Sequence, residues 1–182
     1  MIENSPVLLI AMPQLADPNF HRSVVLILNH SSDGAMGLIL NTPLGEHTLG
    51  SFAETQESIC HDNLARTVLY KGGPVDTQRG WLHHVNPIVE EKKEILPGLF
   101  LSGSMESLKT LLEDGKNPIK FCLGYAGWSP GQLEEEMKQG AWLDAKSSLA
   151  YILETDSELL WEKILRDMGI EPANLVSVGG VH

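Results

Sequence analysis

Residues 23–30 read Ser-Val-Val-Leu-Ile-Leu-Asn-His, β-branched or apolar nearly throughout. A run of this kind suits a strand buried on both faces. Ser31-Ser-Asp-Gly34 then supplies turn chemistry, and Met36-Gly-Leu-Ile-Leu-Asn41 resumes the apolar pattern. Two such runs around a Gly-containing loop predict a β-hairpin. Asn41-Thr-Pro-Leu-Gly45 reads as its end.

Around this hairpin the first half of the chain reads as strands and turns. Val7 to Met12 is a first short strand, and Asp17-Pro-Asn-Phe20 a turn that offers Phe20 to the core. Leu49 to Glu57 reads as a short helix and His61 to Ala65 as a polar loop. Thr67 to Tyr70, Gly80 to Val85 and Leu99 to Ser102 are further strands. The second half brings helices. Ser104 opens one and Gly115 closes it, with Met105, Leu108, Leu111 and Leu112 on one face. Ile119 to Tyr125 returns to strand, and Leu149 to Leu153 reads as a last core strand. Thr155 and Glu158 form a capping box for a helix carrying Leu160, Trp161, Ile164, Leu165 and Met168 inward and ending at Gly169. The tail from Glu171 to His182 is peripheral. Ten prolines and 17 glycines in 182 residues fit many short elements. Strands first and helices later predict one α+β domain over 1–182, with a mainly antiparallel sheet and three or four flanking helices.

Composition narrows function. A hydrophobic fraction of 42% and a charged fraction of 20% are ordinary for a soluble globular protein. No apolar run approaches the ~20 residues needed to cross a bilayer. The apolar stretch Pro6 to Pro13 has Glu3 before it and no basic n-region, which argues against a signal peptide. Cys60 and Cys122 stand far apart, so a reducing cytoplasm is expected. The net charge of -11 and the scattered cations disfavour direct nucleic-acid binding.

The sharpest motif is Gly127-Trp-Ser-Pro-Gly131, a formal match to the G-x-S-x-G elbow of serine hydrolases. In that elbow the residue after the nucleophile donates an N–H to the oxyanion hole, and Pro130 has none. Ser129 reads instead as the N-cap of a helix over Ser129 to Gln139, with Pro130 at its first position and Gln132 completing a capping box. That helix buries Leu133 and Met137 and sets Glu134 beside Lys138. No catalytic residue is assigned; a hydrolase using Ser129 or Cys122 is the alternative reading. Cys122 sits in an apolar run and reads as core, with Lys120 too weak a support for a reactive thiol.

Metal and cofactor chemistry find little support. His21, His30, His47, His61, His83, His84 and His182 lack ligand spacing and read as surface histidines, and Cys60-His61-Asp62 as polar loop. Adjacent His83 and His84 point to opposite faces of a regular strand. No metal and no cofactor are expected. Lys71-Gly-Gly-Pro74 reads as a tight turn without Walker spacing. Tyr125, Trp128 and Gln132, together with Asn41, Gly72 and Gly73, form the expected lining of a ligand or partner cleft.

Several blocks, in order, resemble the AlgH/YqgE family of small bacterial proteins. They are Leu9-Ile-Ala-Met-Pro13, Asp17-Pro-Asn-Phe-His-Arg-Ser-Val24, Gly34-Ala-Met-Gly-Leu-Ile-Leu-Asn-Thr-Pro43, Gly72-Gly-Pro74 and Leu123-Gly-Tyr-Ala-Gly-Trp-Ser-Pro-Gly-Gln-Leu-Glu134, with Ala141-Trp142 closing the series. The resemblance implies an α+β fold with strongly coiled, partly split antiparallel sheets and no established catalytic activity. One branch is linked by name and genetics to alginate synthesis, hence a label of transcriptional regulator. Neither the acidic charge nor the lack of a helix-turn-helix signature fits direct DNA contact, so regulation through an unknown protein partner or small ligand is expected. Thr42 departs from the Lys or Arg that many relatives carry, so an anion held by that cation in relatives would lose it here.

Overall fold

A computed structural model describes residues 6–176. Ten strands form one sheet: β1 (Val7–Ala11), β2 (Val24–Ser31), β3 (Gly34–Ile39), β4 (Pro43–Thr48), β5 (Val68–Lys71), β6 (Val75–His84), β7 (Lys93–Leu96), β8 (Leu99–Ser102), β9 (Ile119–Trp128) and β10 (Trp142–Lys146). Their order is β10-β1-β2-β3-β9-β6-β8-β7, with β4 and β5 attached beside β9. Every pair is antiparallel except β5 with β9. Four helices flank the sheet, α1 (Leu49–Thr55), α3 (Met105–Asp114), α4 (Gln132–Lys138) and α5 (Ser157–Asp167), and α2 (Asp62–Ala65) and α6 (Pro172–Val176) are single turns. The α+β class and the mainly antiparallel sheet agree with the sequence.

Strand β2 is covered on both sides, as its composition requires. Val24 and Leu26 enter a core closed by Leu160, Trp161, Ile164 and Leu165 of α5. Val25 and Ile27 enter a second core closed by Leu133 of α4 and by Phe20. A third core lies between α1, α3 and the strands that carry Leu69, Leu82 and Phe121. Each fully buried aliphatic side chain contributes about 1.5–3 kcal/mol relative to exposure, so a strand feeding two cores specifies both layers at once.

The sheet is curled. β10 and β9 stand four steps apart in strand order, which in a flat sheet is about 19 Å. Yet the rings of Trp128 on β9 and Trp142 on β10 lie 5.9 Å apart in edge contact.

The sheet is also partly split, and the split falls on β9. One margin of β9 pairs with β5 at Phe121 to Leu123 and then with β3 at Ala126 to Trp128. Between these partners lies Gly124, at φ 75. The chain leaving β5 presses its backbone into the gap. A Cβ on Gly72 would come within 2.3 Å of Gly124 O, and one on Gly73 within 2.1 Å of Tyr125 C. Hydrogen bonds from Gly72 N–H to Leu123 O (2.7 Å) and from Ile39 N–H to Gly72 O (2.8 Å) stitch the three strands together. The Lys71–Pro74 turn is therefore a backbone seam.

Several local expectations need correction. Residues 150–154 form a π-helical turn rather than a strand, because Ser148 Oγ accepts the Tyr151 N–H and only Ile152 is fully buried. The last core strand is β10, just upstream and paired with β1. Pro43 does not end the hairpin; it opens the exposed strand β4, whose weak apolar pattern hid it. Residues 62–65 are helical, with His61 at the cap. β7 was not foreseen, and β6 begins at Val75 rather than Gly80. Asp156, not Thr155, caps α5: its Oδ1 accepts the Glu158 N–H at 3.0 Å, while Thr155 Oγ1 donates to Ala150 O. Met105 and Met168 are exposed rather than inward. Ser104 and Gly115 bound α3 as expected. The tail expected to be peripheral holds α6, where Pro172 is buried and Leu175 packs on the α5 core; its remainder, 177–182 with His182, lies outside the described residues, as does Glu3.

Gly124→Ala places a Cβ within 2.6 Å of Gly73 O at a φ that L side chains rarely adopt. It is expected to lower the unfolding free energy by roughly 2 kcal/mol or more. Urea denaturation reads this directly, and an unchanged midpoint would contradict the seam.

Candidate functional site

The Gly124–Glu136 segment resolves into a strand end, a tight turn and helix α4. Gln132 N–H bonds Ser129 O at 3.0 Å, so Ser129–Gln132 is a turn of its own. Gly131, at φ 76, then occupies the cap of α4 without a side-chain bond. The helix thus starts at Gln132, later than expected. Half of the predicted capping box survives, since Gln132 Oε1 accepts the Ser129 N–H at 3.0 Å. Ser129 Oγ, expected to cap the helix, makes no hydrogen bond among the described residues, and Ser129 is exposed.

A histidine–carboxylate pair exists nearby in the fold. His30 Nε2 lies 2.8 Å from Glu134 Oε1. His30 stands opposite Ala35, which itself stands opposite Trp128. Glu134 reaches this histidine rather than an ion pair with Lys138. No hydrogen bond joins Ser129 Oγ to His30 among the described residues, and Pro130 withholds the N–H that an elbow requires.

Trp128 and Gln132, expected at a cleft, are both engaged by Glu136. Glu136 Oε2 accepts the indole N–H of Trp128 at 3.0 Å and that of Trp142 at 2.8 Å. Its Oε1 accepts from Gln132 Nε2 at 2.9 Å. Phe20 stacks on Trp128 at 6.0 Å and meets Trp142 edge-on at 5.4 Å. Asn41 is likewise engaged with the backbone. Its Oδ1 accepts the Val24 N–H at 2.8 Å and its Nδ2 donates to Arg22 O at 2.9 Å. This bracket spans Arg22, which sits at φ 50. Gly72, Gly73 and Tyr125 lie at the β3–β5–β9 seam, Asn41 bonds the loop before β2, and Trp128 and Gln132 belong to the Glu136 cluster.

A cleft of about 870 Å³ opens elsewhere, between β4–β5, the link from α3 into β9 and the segment Leu153–Glu158. Tyr70 and Lys120 line it. Lys120 is 5% exposed. Its Nζ donates to Leu40 O at 2.9 Å and lies 4.5 Å from the Tyr70 ring centre. Burial holds this amine below the usual lysine range, partly offset by the nearby Cys122 and Asp156. In the sequence, Lys120 is weighed only as support for a reactive Cys122; its signal as a site residue is a lone cation inside the apolar run Ile119 to Tyr125.

The neighbours of Lys120 are equally buried. His83 pairs with it across β6 and β9. The His83 Nδ1 faces Lys120 O at 3.4 Å, so that nitrogen carries the proton and Nε2 is a lone pair without a partner among the described residues. Burial, then the Lys120 charge, holds His83 down to about 3. His84 points to the opposite face, as its position predicts. Ser102 Oγ donates to Glu91 O, so His84 Nε2–H donates to Ser102 Oγ at 2.9 Å and Nδ1 accepts the Asn86 N–H at 3.2 Å. Neither is a surface histidine. Cys122 is fully buried as expected, and burial pushes its thiol up to about 12. Among the described residues, no group of three or more His, Cys, Asp or Glu is placed to hold a metal.

A curled, partly split α+β sheet whose central strand exchanges partners at a glycine seam, with a lysine-floored cleft beside it, defines a small α+β domain of distinctive type. Residues 8–173 match the profile of the AlgH-like family, and the chain belongs to that family. A UPF0301 protein of Myxococcus xanthus (strain DK1622) is 45% identical over 180 residues, covering 98% of each chain. The solution structure of the AlgH protein from Pseudomonas aeruginosa superimposes with a TM-score of 0.75 at 31% identity, over 97% of this chain and 94% of that one. An X-ray structure from Corynebacterium diphtheriae shares the fold, with a TM-score of 0.68 at 22% identity, over 94% and 89%.

Two outcomes follow from this geometry. Glu136→Ala leaves two indole N–H groups without their acceptor and is expected to cost about 2 kcal/mol or more; tryptophan emission during denaturation reads it. The folded state resists protonation of His83 until about pH 3, while the unfolded chain takes the proton near 6.5. Stability therefore falls as pH drops below about 6.5, by up to ~1.4 kcal/mol per pH unit. Comparing denaturation at pH 7 and pH 5 should show a smaller loss in His83→Gln than in the native chain.

Proposed function

We propose that this chain is a non-enzymatic binding domain of the cytoplasm, and that any regulatory role runs through a protein partner or small ligand. One observation carries the reading: the cleft of about 870 Å³ holds a nearly buried ammonium, Lys120, that makes a single hydrogen bond among the described residues, to Leu40 O. Buried charges without an ionic partner are costly, and a site with a perturbed titratable group is a natural binding locus. Catalysis by the alternative nucleophiles has less support. The Cys122 thiol, at about 12, stays protonated near neutrality, and no base bonds Ser129 Oγ among the described residues. The net charge of -11 opposes a nucleic-acid partner.

Serine- and thiol-directed activity probes test the reading. The folded protein should take no specific label; labelling lost on Ser129→Ala or Cys122→Ala would establish the hydrolase instead. In gel-shift titration, promoter duplex should not be retarded, and tight, salt-sensitive retardation would refute an indirect role.

A further inference from the structure

The charges that line the cleft are of both signs and lie on different segments. Lys120 floors it from β9 and Lys116 stands on the link before that strand, whereas Glu154, Asp156 and Glu158 come from the segment opening α5. Lys116 is matched by Asp114 at 3.5 Å. Lys120 has no ion pair within 4 Å among the described residues, and neither do Glu154, Asp156 or Glu158. The ammonium of Lys120 has three N–H groups. One meets Leu40 O and the Tyr70 ring faces the amine. The cleft therefore presents at its floor a cation without an ion pair, its burial partly offset by Asp156, and at its exposed rim carboxylates without ion pairs, of which Asp156 also caps α5.

We propose that the cleft binds a zwitterionic ligand of the amino acid or short-peptide class, its carboxylate against Lys120 and its ammonium toward Glu154, Asp156 and Glu158. This rests on the binding-domain reading above. The ligand carboxylate supplies the direct ion pair that the buried amine lacks among the described residues, in a low-dielectric position where a charge-assisted bond is strong. The ammonium end meets exposed carboxylates, where screening keeps its share small. A volume of about 870 Å³ leaves room for more than a single amino acid.

Amide NMR titration of the full chain with triglycine, triglycinamide and N-acetyl-triglycine tests it. Triglycine should shift Asn117, Lys120, Thr155 and Ser157 saturably. Triglycinamide, without the carboxylate, should bind about tenfold more weakly, and N-acetyl-triglycine a few-fold more weakly. Lys120→Met should abolish the difference between free acid and amide. Should that variant not fold, Glu154→Gln with Glu158→Gln at the exposed rim should abolish the difference made by acetylation. Cleft shifts of equal strength for acid and amide would overturn the zwitterion assignment while leaving the cleft a binding site. No cleft shift with triglycine would overturn the assignment itself. The non-enzymatic reading falls separately, on specific labelling of Ser129 or Cys122.

Discussion

At the seam between Gly72–Gly73 and Gly124–Tyr125, backbone packs on backbone with no side chain between. Everything on either side takes its position from that contact. β9 can hold β5 along its first half and β3 along its second only because the chain bends at Gly124, which adopts φ 75. The turn after β5 fits the bend only because residues 72 and 73 lack a Cβ. Through this seam the α4 and α5 cores around β1–β3 join the α1 and α3 core around β5, β6 and the first half of β9. Asn41, with its bracket on Arg22 and Val24, lies two residues beyond the stitched strand end at Ile39, so the loop before β2 is tied close to the same point.

The seam also accounts for the polar interior. Where β5 runs parallel to β9, Tyr70 stands opposite Cys122, while His83 of β6 stands opposite Lys120. The hydrogen bond from Lys120 to Leu40 reaches across the junction to the chain leaving β3. A lysine at this position thus has a structural tie on one side and a cleft on the other. Burial lowers both Lys120 and His83, and the Lys120 charge lowers His83 further.

Much of this architecture was legible in the residues. The β2–β3 hairpin, α3 with its Ser104 and Gly115 ends, and the inward face of α5 follow from local patterns that agree with their surroundings. What was not legible depended on partners distant in sequence. β4 has an exposed, nearly patternless sequence, and its strand character comes from pairing with β5. The 150–154 turn shows the same apolar density as a strand, and a serine hydroxyl at residue 148 decides between them. Among the expected site residues, Gly72, Gly73 and Tyr125 lie at the seam, Asn41 holds the loop before β2, and Trp128 and Gln132 bond Glu136. The place of Lys120 in a cleft was not legible, because a single cation inside an apolar run carries no spacing to read.

The carboxylate of Glu136 joins indoles from β9 and β10, the two margins of the curl around β1–β3. In strand order those margins are remote, yet in the chain β9, α4 and β10 follow one another. The entropy of bringing them together is that of a short loop, which grows only slowly with length. Such contacts favour rapid formation relative to distant pairings. The arch that encloses the N-terminal strands is thereby framed by the C-terminal half of the chain, and residues 7–39 complete a contour whose two rims are already neighbours.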